Sequence, residues 1–420
     1  MSTTRTAPSD ETAARSELLD ERLAQDTGLR GAADAFRRRV RDGDLGLLPV
    51  VVGLLVIGLV FYLQDVTYLS SSNLVNITLN AVPYGIIAVG IVLVLLLGEI
   101  DLSVGSISGL AGSITAVLVV QNDVPLVFGL LAGAGTGAAI GIAYGLIFTK
   151  IGVPSFVITL AGLLGFVGLQ YVVLGDTGTI NLPRTSPLAQ FAREDFLSPA
   201  VSYIVVVVVT ALYALVSIIG IRRRTAAGLP AQSLTLVLIK SAVMLAGLGF
   251  LTYYLNIDRG WGFAVVFFIA LVVLLDLVLR KTTWGRHLYA VGGNVEAARR
   301  SGINVNWIYI SAFSLTGLLA ATGGLMFLAR LTSVSQASGS NDVNLTAIAA
   351  AVIGGVSLFG GRGSAYSALL GVLVLTAINS GLNRIGVDSS VRYIVTGAVL
   401  LLAVSIDAIA RRARASSGRG

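Results

Sequence analysis

The chain has no cysteine, one histidine (His287) and only nine prolines in 420 residues, and charged side chains make up just 12% of it. Without cysteine there is no disulfide and no thiolate metal site, and the redox compartment is left open on that ground. A single histidine cannot build a multi-histidine metal centre. No nucleophile–base or metal set of the kind an intramembrane enzyme needs is found either. So little charge is too little to cover a soluble protein of this length. What is present instead is apolar: 55% hydrophobic residues and 49 glycines, with a mean hydropathy of +0.86. Glycines let helices approach closely where lipid offers no packing drive. The composition describes an all-α polytopic membrane protein.

Apolar runs near spanning length fall at about 47–64, 75–98, 102–120, 125–149, 154–174, 200–220, 234–255, 261–280, 305–329, 345–359, 365–383 and 391–410. That predicts about twelve transmembrane helices, the short run at 345–359 being either a span or a re-entrant segment. The formal charge of +7 reads as orientation rather than nucleic-acid binding, because the basic residues collect at span ends. Arg37, Arg38, Arg39, Arg41, Lys150, Arg222–Arg224, Arg280, Lys281, Arg286, Arg299, Arg300, Arg411, Arg412 and Arg414 fall on one side of an even-numbered topology. The positive-inside tendency makes that side cytoplasmic, with both termini inside. Residues 1–44 read as a partly disordered cytoplasmic tail, 45–410 as the transmembrane domain and 411–420 as a cytoplasmic C-terminal tail. No signal-peptide pattern opens the chain. Asp276–Arg280 and Asp407–Arg411 are i,i+4 pairs of structural character, and Lys240 is placed to snorkel.

Acids between spans are functional signals by default, which singles out Glu99 and Asp101 in Gly98-Glu-Ile-Asp-Leu-Ser-Val-Gly-Ser106. Two readings stand for this break. Asp101 and Ser103 cap the following helix, or Glu99, Asp101, Ser103 and Ser106 line a translocation path. A second small-residue break, Gly360-Gly-Arg-Gly-Ser364, echoes the first, as paired interruptions do in the halves of many transporters. Asn73, Asn76 and Asn80 share a helix face with Tyr84 one turn on. These asparagines line the cavity, with Asn76 and Asn80 assigned to the same candidate path, or else bond between helices.

The longest polar stretch on the cytoplasmic side, 282–304, contains a capped short helix. Asn294 is its N-cap, Glu296 favours its dipole, Arg299 and Arg300 lie near its end and Gly302 stops it. No Gly-x-x-x-x-Gly-Lys-Ser/Thr occurs, so nothing here cradles nucleotide phosphates. On the opposite side, the longest loop, 175–199, is the first candidate for a docking surface and 330–344 the second, with a solvated linker as the competing reading.

Several motifs together, in order and over nearly all of the chain after the tail, resemble the permease subunits of bacterial ribose, xylose and galactose ABC importers. They are Gly98–Ser106, Gly285-Arg-His-Leu-Tyr-Ala-Val-Gly-Gly-Asn294, Glu296-Ala-Ala-Arg-Arg-Ser-Gly302, Ile348–Gly355, Ser357–Ser364, Tyr393-Ile-Val-Thr-Gly397 and Leu400–Asp407. The inserted segment Val201–Leu279 and Glu99 make it most similar to the longer xylose-type members, while Asn344 and Thr346 stand where many relatives carry acids.

The resemblance implies an ABC importer permease fold with short and broken helices, moving a monosaccharide, xylose first, across a bacterial plasma (inner) membrane. It implies no cofactor in this chain, ATP being bound by a separate cytoplasmic ATPase, and an extracytoplasmic sugar-binding protein. It also implies a second permease copy, with a homodimer expected. The element expected to meet the ATPase is the helix with Asn294, Glu296, Ala297, Ala298, Arg299, Arg300 and Gly302. Arg299 and Arg300 there either pair with acids on the ATPase or are plain positive-inside charge. The rival reading is an ion-coupled secondary transporter using Glu99 or Asp101.

Overall fold

A computed structural model describes residues 48–229 and 231–416; the expected N-terminal tail and the last four residues of the C-terminal one lie outside them. Twelve helices occupy the twelve expected runs. They are α1 (Leu48–Gln64), α2 (Ser71–Leu96), α3 (Val104–Ala116), α4 (Leu126–Leu146) and α5 (Ser155–Leu174), then α7 (Pro199–Ala226), α8 (Leu234–Leu255), α9 (Phe263–Lys281), α12 (Val305–Leu331), α13 (Asn341–Ile353), α14 (Ala365–Arg384) and α15 (Ser389–Ser416). Three short helices complete the set: α6 (Pro187–Arg193) in the longest loop, and α10 (Thr283–Gly293) and α11 (Val295–Arg300) between α9 and α12. Single π turns extend α3 to Gln121 and α4 to Ile151. Among the described residues, nine helices are long and apolar enough to cross a membrane.

Residues 198–256 form one compact unit, an antiparallel hairpin of α7 and α8. Its surface is apolar: Val205, Leu212, Val216, Val243 and Phe250 are all exposed, as lipid-facing side chains are.

The rest of the described chain forms the second unit. At its centre α12 packs on α2, α3 and α4. The α4–α12 contact follows from glycine at every fourth position. Gly129, Gly133, Gly137, Gly141 and Gly145 lie buried on one face of α4, the spacing that lets backbones touch. A Cβ added at Gly137 would sit 2.2 Å from the Gly317 carbonyl oxygen, and one at Gly141 would sit 2.1 Å from that of Phe313. The two helices therefore meet main chain to main chain. Around them Ile86, Ile87, Leu93, Leu95, Phe268 and Phe313 fill a core from which solvent is excluded.

The short expected span at 345–359 is a helix of 13 residues, α13, displaced toward the N-terminus. At about 1.5 Å per residue it covers roughly 20 Å, short of a hydrocarbon core of about 30 Å. It stops at Gly354 because Gly355 takes φ +98°, a conformation costly for residues with a Cβ. Gly360, Gly361 and Gly363 also take positive φ, so 354–364 is a compact glycine loop rather than more helix. Before α13 the chain runs back along α3. β2 (Ser333–Ser335) pairs antiparallel with β1 (Thr179–Asn181), and the Gly339 backbone then packs against Gly105 and Gly109 of α3.

Candidate functional site

A cavity of about 720 Å³ opens among the first turns of α2, the last turns of α12 and α14, and the starts of α13 and α15. Its polar wall comes from two helix faces. Asn73, Asn76 and Asn80 of α2 face Thr376, Asn379, Ser380 and Asn383 of α14, both sets spaced at i, i+3 or i+4, and i+7. Arg330, Arg384, Arg392 and Asp342 add charge, and Tyr84, Tyr393, Phe327 and Leu345 supply apolar surface. Amides, guanidiniums and a carboxylate set among aromatic faces suit a neutral ligand that both donates and accepts hydrogen bonds.

The rim is cross-linked. Arg330 donates through Nε to Asn80 Oδ1 at 3.1 Å and through Nη2 to Asn76 Oδ1 at 3.4 Å. Arg259 donates to the same Asn76 oxygen at 3.1 Å. Arg259 also pairs with Asp258 and lies 5.3 Å over the Phe196 ring. Arg193 donates to the backbone carbonyl of Arg330 at 3.0 Å, so the long loop is tied to the same corner.

Of the six residues expected along a path, Asn76 and Asn80 line this cavity, whereas Glu99, Asp101, Ser103 and Ser106 lie elsewhere, where α2 breaks before α3. There Asp101 Oδ1 accepts from the Ser103 N–H at 2.8 Å and the Ser103 hydroxyl at 2.7 Å. Tyr144 of α4 donates its hydroxyl to Ser103 Oγ at 2.9 Å, and Ser106 donates to the Ser103 carbonyl at 2.9 Å. The Ser155 hydroxyl donates to Glu99 at the start of α5. Both carboxyls sit in the break between spanning segments, and burial raises their pKa against the hydrogen bonds from Ser155 and Ser103. The geometry of Asp101 is that of a local turn holding the chain into α3.

The two echoing breaks meet. The Gly361 N–H donates to the Leu96 carbonyl at 2.8 Å, and a Cβ at Gly360 would lie 2.6 Å from the Gly292 carbonyl and 3.0 Å from the Gly98 nitrogen. Gly292 belongs to α10, and Tyr289 of the same helix donates its hydroxyl to the Gly363 carbonyl at 2.8 Å. Next to it, α11 has the expected cap: Asn294 Oδ1 accepts from the Ala297 N–H at 2.9 Å. Ala298 is buried, while Glu296, Ala297, Arg299 and Arg300 are exposed, and Gly302 ends the element at φ +84°. Arg299 lies 3.7 Å from Glu296 on this surface.

Asn379 and Asn383 were not singled out from the sequence, although their spacing with Thr376 and Ser380 repeats that of the α2 asparagines.

Residues 73–404 match the family described as the permease component of the branched-chain amino acid transport system. The chain belongs to this permease family. The permease is 36% identical over 343 residues to the xylose transport system permease protein XylH of Haemophilus influenzae, covering 82% of this chain and 90% of that one. It is 35% identical over 379 residues to XylH of Escherichia coli K12 (88% and 93%) and 31% identical over 366 residues to the ribose import permease protein RbsC of Bacillus subtilis 168 (87% and 94%). No solved structure matches the permease. Its apolar helices make it a multi-pass membrane protein.

Proposed function

We propose that this permease is the membrane-spanning subunit of an ATP-binding-cassette importer that moves a monosaccharide inward, xylose or a related pentose. The observation that carries this reading is the amide- and guanidinium-lined cavity at the end of the bundle opposite α10 and α11, in a chain so similar to xylose permeases. A partner ATPase holds the ATP, and this chain needs no cofactor of its own. That ATPase docks on the exposed face of α11 through Glu296, Ala297, Arg299 and Arg300, with Asn294, Ala298 and Gly302 fixing the helix. The cytoplasmic side is then the side of α11, with both termini there. A sugar-binding protein delivers substrate at the cavity mouth, near α6. Two copies form a homodimer, in contact with lipid over their apolar faces. A binding protein concentrates the sugar, so the cavity needs only modest affinity.

Gentle extraction with mass identification of co-purifying proteins tests the assembly, followed by reconstitution into vesicles. A stoichiometric ATPase, lost with Glu296→Lys, and uptake that requires ATP are expected. Uphill uptake by the chain alone under a proton gradient would overturn the proposal.

A further inference from the structure

A second, smaller cavity of about 260 Å³ lies beside the first. The two share four wall residues, Tyr84, Phe327, Leu331 and Asp342. Tyr84 and Phe327 form an edge-to-face pair with centroids 4.8 Å apart. An aromatic pair flanked by one carboxylate thus divides one space into two chambers.

The inner chamber is built from α3, α12 and the segment that runs back between β2 and α13. Its wall is rich in hydroxyls and backbone, with Ser108, Ser333, Ser338 and Ser340 among its residues. Each hydroxyl carries one donor and two acceptor sites. Ser108 spends its donor on the Gly105 carbonyl, which leaves its acceptor sites. Ser338 accepts from the Ser335 N–H at 2.9 Å, which leaves its proton. The wall is held in place from behind: Gln170, wholly buried, donates to the carbonyls of Ser335 at 2.8 Å and Ser338 at 3.0 Å. At about 260 Å³, below the range of about 300–1,000 Å³ usual for drug-sized ligands, the chamber has room for a single sugar ring.

We infer that the inner chamber is a second binding station for the transported monosaccharide, entered from the outer cavity past the Tyr84–Phe327 partition, with Asp342 accepting a sugar hydroxyl on either side of it. This rests on the reading of the outer cavity as the sugar's entry.

The absence of cysteine allows a clean test. Ser338→Cys places one thiol in the inner chamber and Asn379→Cys one in the outer, in the otherwise complete transporter. Modification by a small neutral thiol reagent is followed with and without xylose. At a sugar concentration about ten times half-saturating, labelling at both positions is expected to slow about tenfold. Protection at Asn379→Cys alone overturns the inner station and leaves the proposed function standing. Protection at neither position, in transporters that still take up xylose, overturns both cavities as sugar sites.

Gly112→Ala is the independent check. Gly112 borders the inner chamber only, and a Cβ there would meet the Gly324 carbonyl oxygen at 3.4 Å and Val334 Cγ2 at 3.7 Å, ordinary contacts. Uptake by this variant should fall several-fold while its melting temperature and xylose protection at Asn379→Cys hold. Unchanged uptake would count against the station.

Discussion

The backbone N–H of Gly361 donates to the carbonyl oxygen of Leu96 at 2.8 Å, joining two breaks separated by more than half the chain. Leu96 closes α2 and Gly361 lies in the loop after α13. Gly292 fills the remaining corner, so α10 holds both breaks at once. Motion of the α10–α11 element would be felt at each.

Gly292→Ala is expected to disturb this junction. Its new Cβ would lie 1.7 Å from the Leu96 carbonyl oxygen and 3.0 Å from the Gly361 nitrogen, so backbone must move, at about 1–3 kcal/mol. Gly293→Ala, with open space at the same distance, should stay within about 0.5 kcal/mol of the parent. Melting of both variants in detergent checks the pair, and equal melting temperatures would contradict the tight corner.

Tyr289→Phe removes the hydrogen bond to the Gly363 carbonyl while keeping the ring. A loss of about 0.5–1.5 kcal/mol is expected. If the junction transmits motion, ATP hydrolysed per sugar transported should rise while α11 still binds the ATPase. The ratio of hydrolysis to uptake in proteoliposomes measures it.

Asn76 accepts from two guanidiniums, Arg259 at 3.1 Å and Arg330 at 3.4 Å. Asn76→Ala frees both, and hydrogen bonds to charged groups contribute about 1.5–3 kcal/mol each. Xylose uptake should fall about tenfold or more, with assembly intact as judged by co-purified ATPase. Asn76→Asp keeps the acceptor and should recover most of the uptake.

Asp65 supplies a pH dependence. It accepts from the side chain and backbone of Thr67 and faces Arg384 at 3.2 Å, and these contacts hold its carboxyl below the ordinary value of 3.8. The unfolded chain therefore binds this proton more readily than the folded one. The stabilisation is complete above the unfolded pKa and is lost as pH falls through the lower folded value. Asp65→Asn should melt below the parent at neutral pH, and the two curves should converge under strongly acidic conditions.

Much of this was legible in advance because hydropathy and caps act locally. Helices α1, α5 and α8 begin and end close to where their apolar runs do, and α11 is bracketed by the side-chain oxygen of Asn294 and the positive φ of Gly302. The 345–359 run misled in register because Val356 and Leu358 are apolar, whereas the positive φ at Gly355 decides the helix end. Grouping Glu99 and Asp101 with Asn76 was a matter of distance along the fold. Asp101 is held in a local turn with Ser103 and Glu99 accepts from Ser155 of α5, and nothing in the spacing of the two acids reports which cavity lies near. Asn379 and Asn383 needed the pairing of α14 with α2, a long-range fact. The four-residue glycine repeat of α4 was readable, and it marks a seam that composition alone leaves undifferentiated.

That seam has a consequence for how such a protein can change. Where α4 and α12 touch, Gly137 and Gly317 leave no side chain to vary, so the seam is closed to evolutionary drift by geometry. The cavity walls are different, since Asn76, Asn379 and Asn383 line a cavity rather than a seam where two helix backbones touch. Mutation can retune what passes through without renegotiating what stands still. A lineage built on this scaffold can change its diet by editing a few amides while inheriting its frame unchanged.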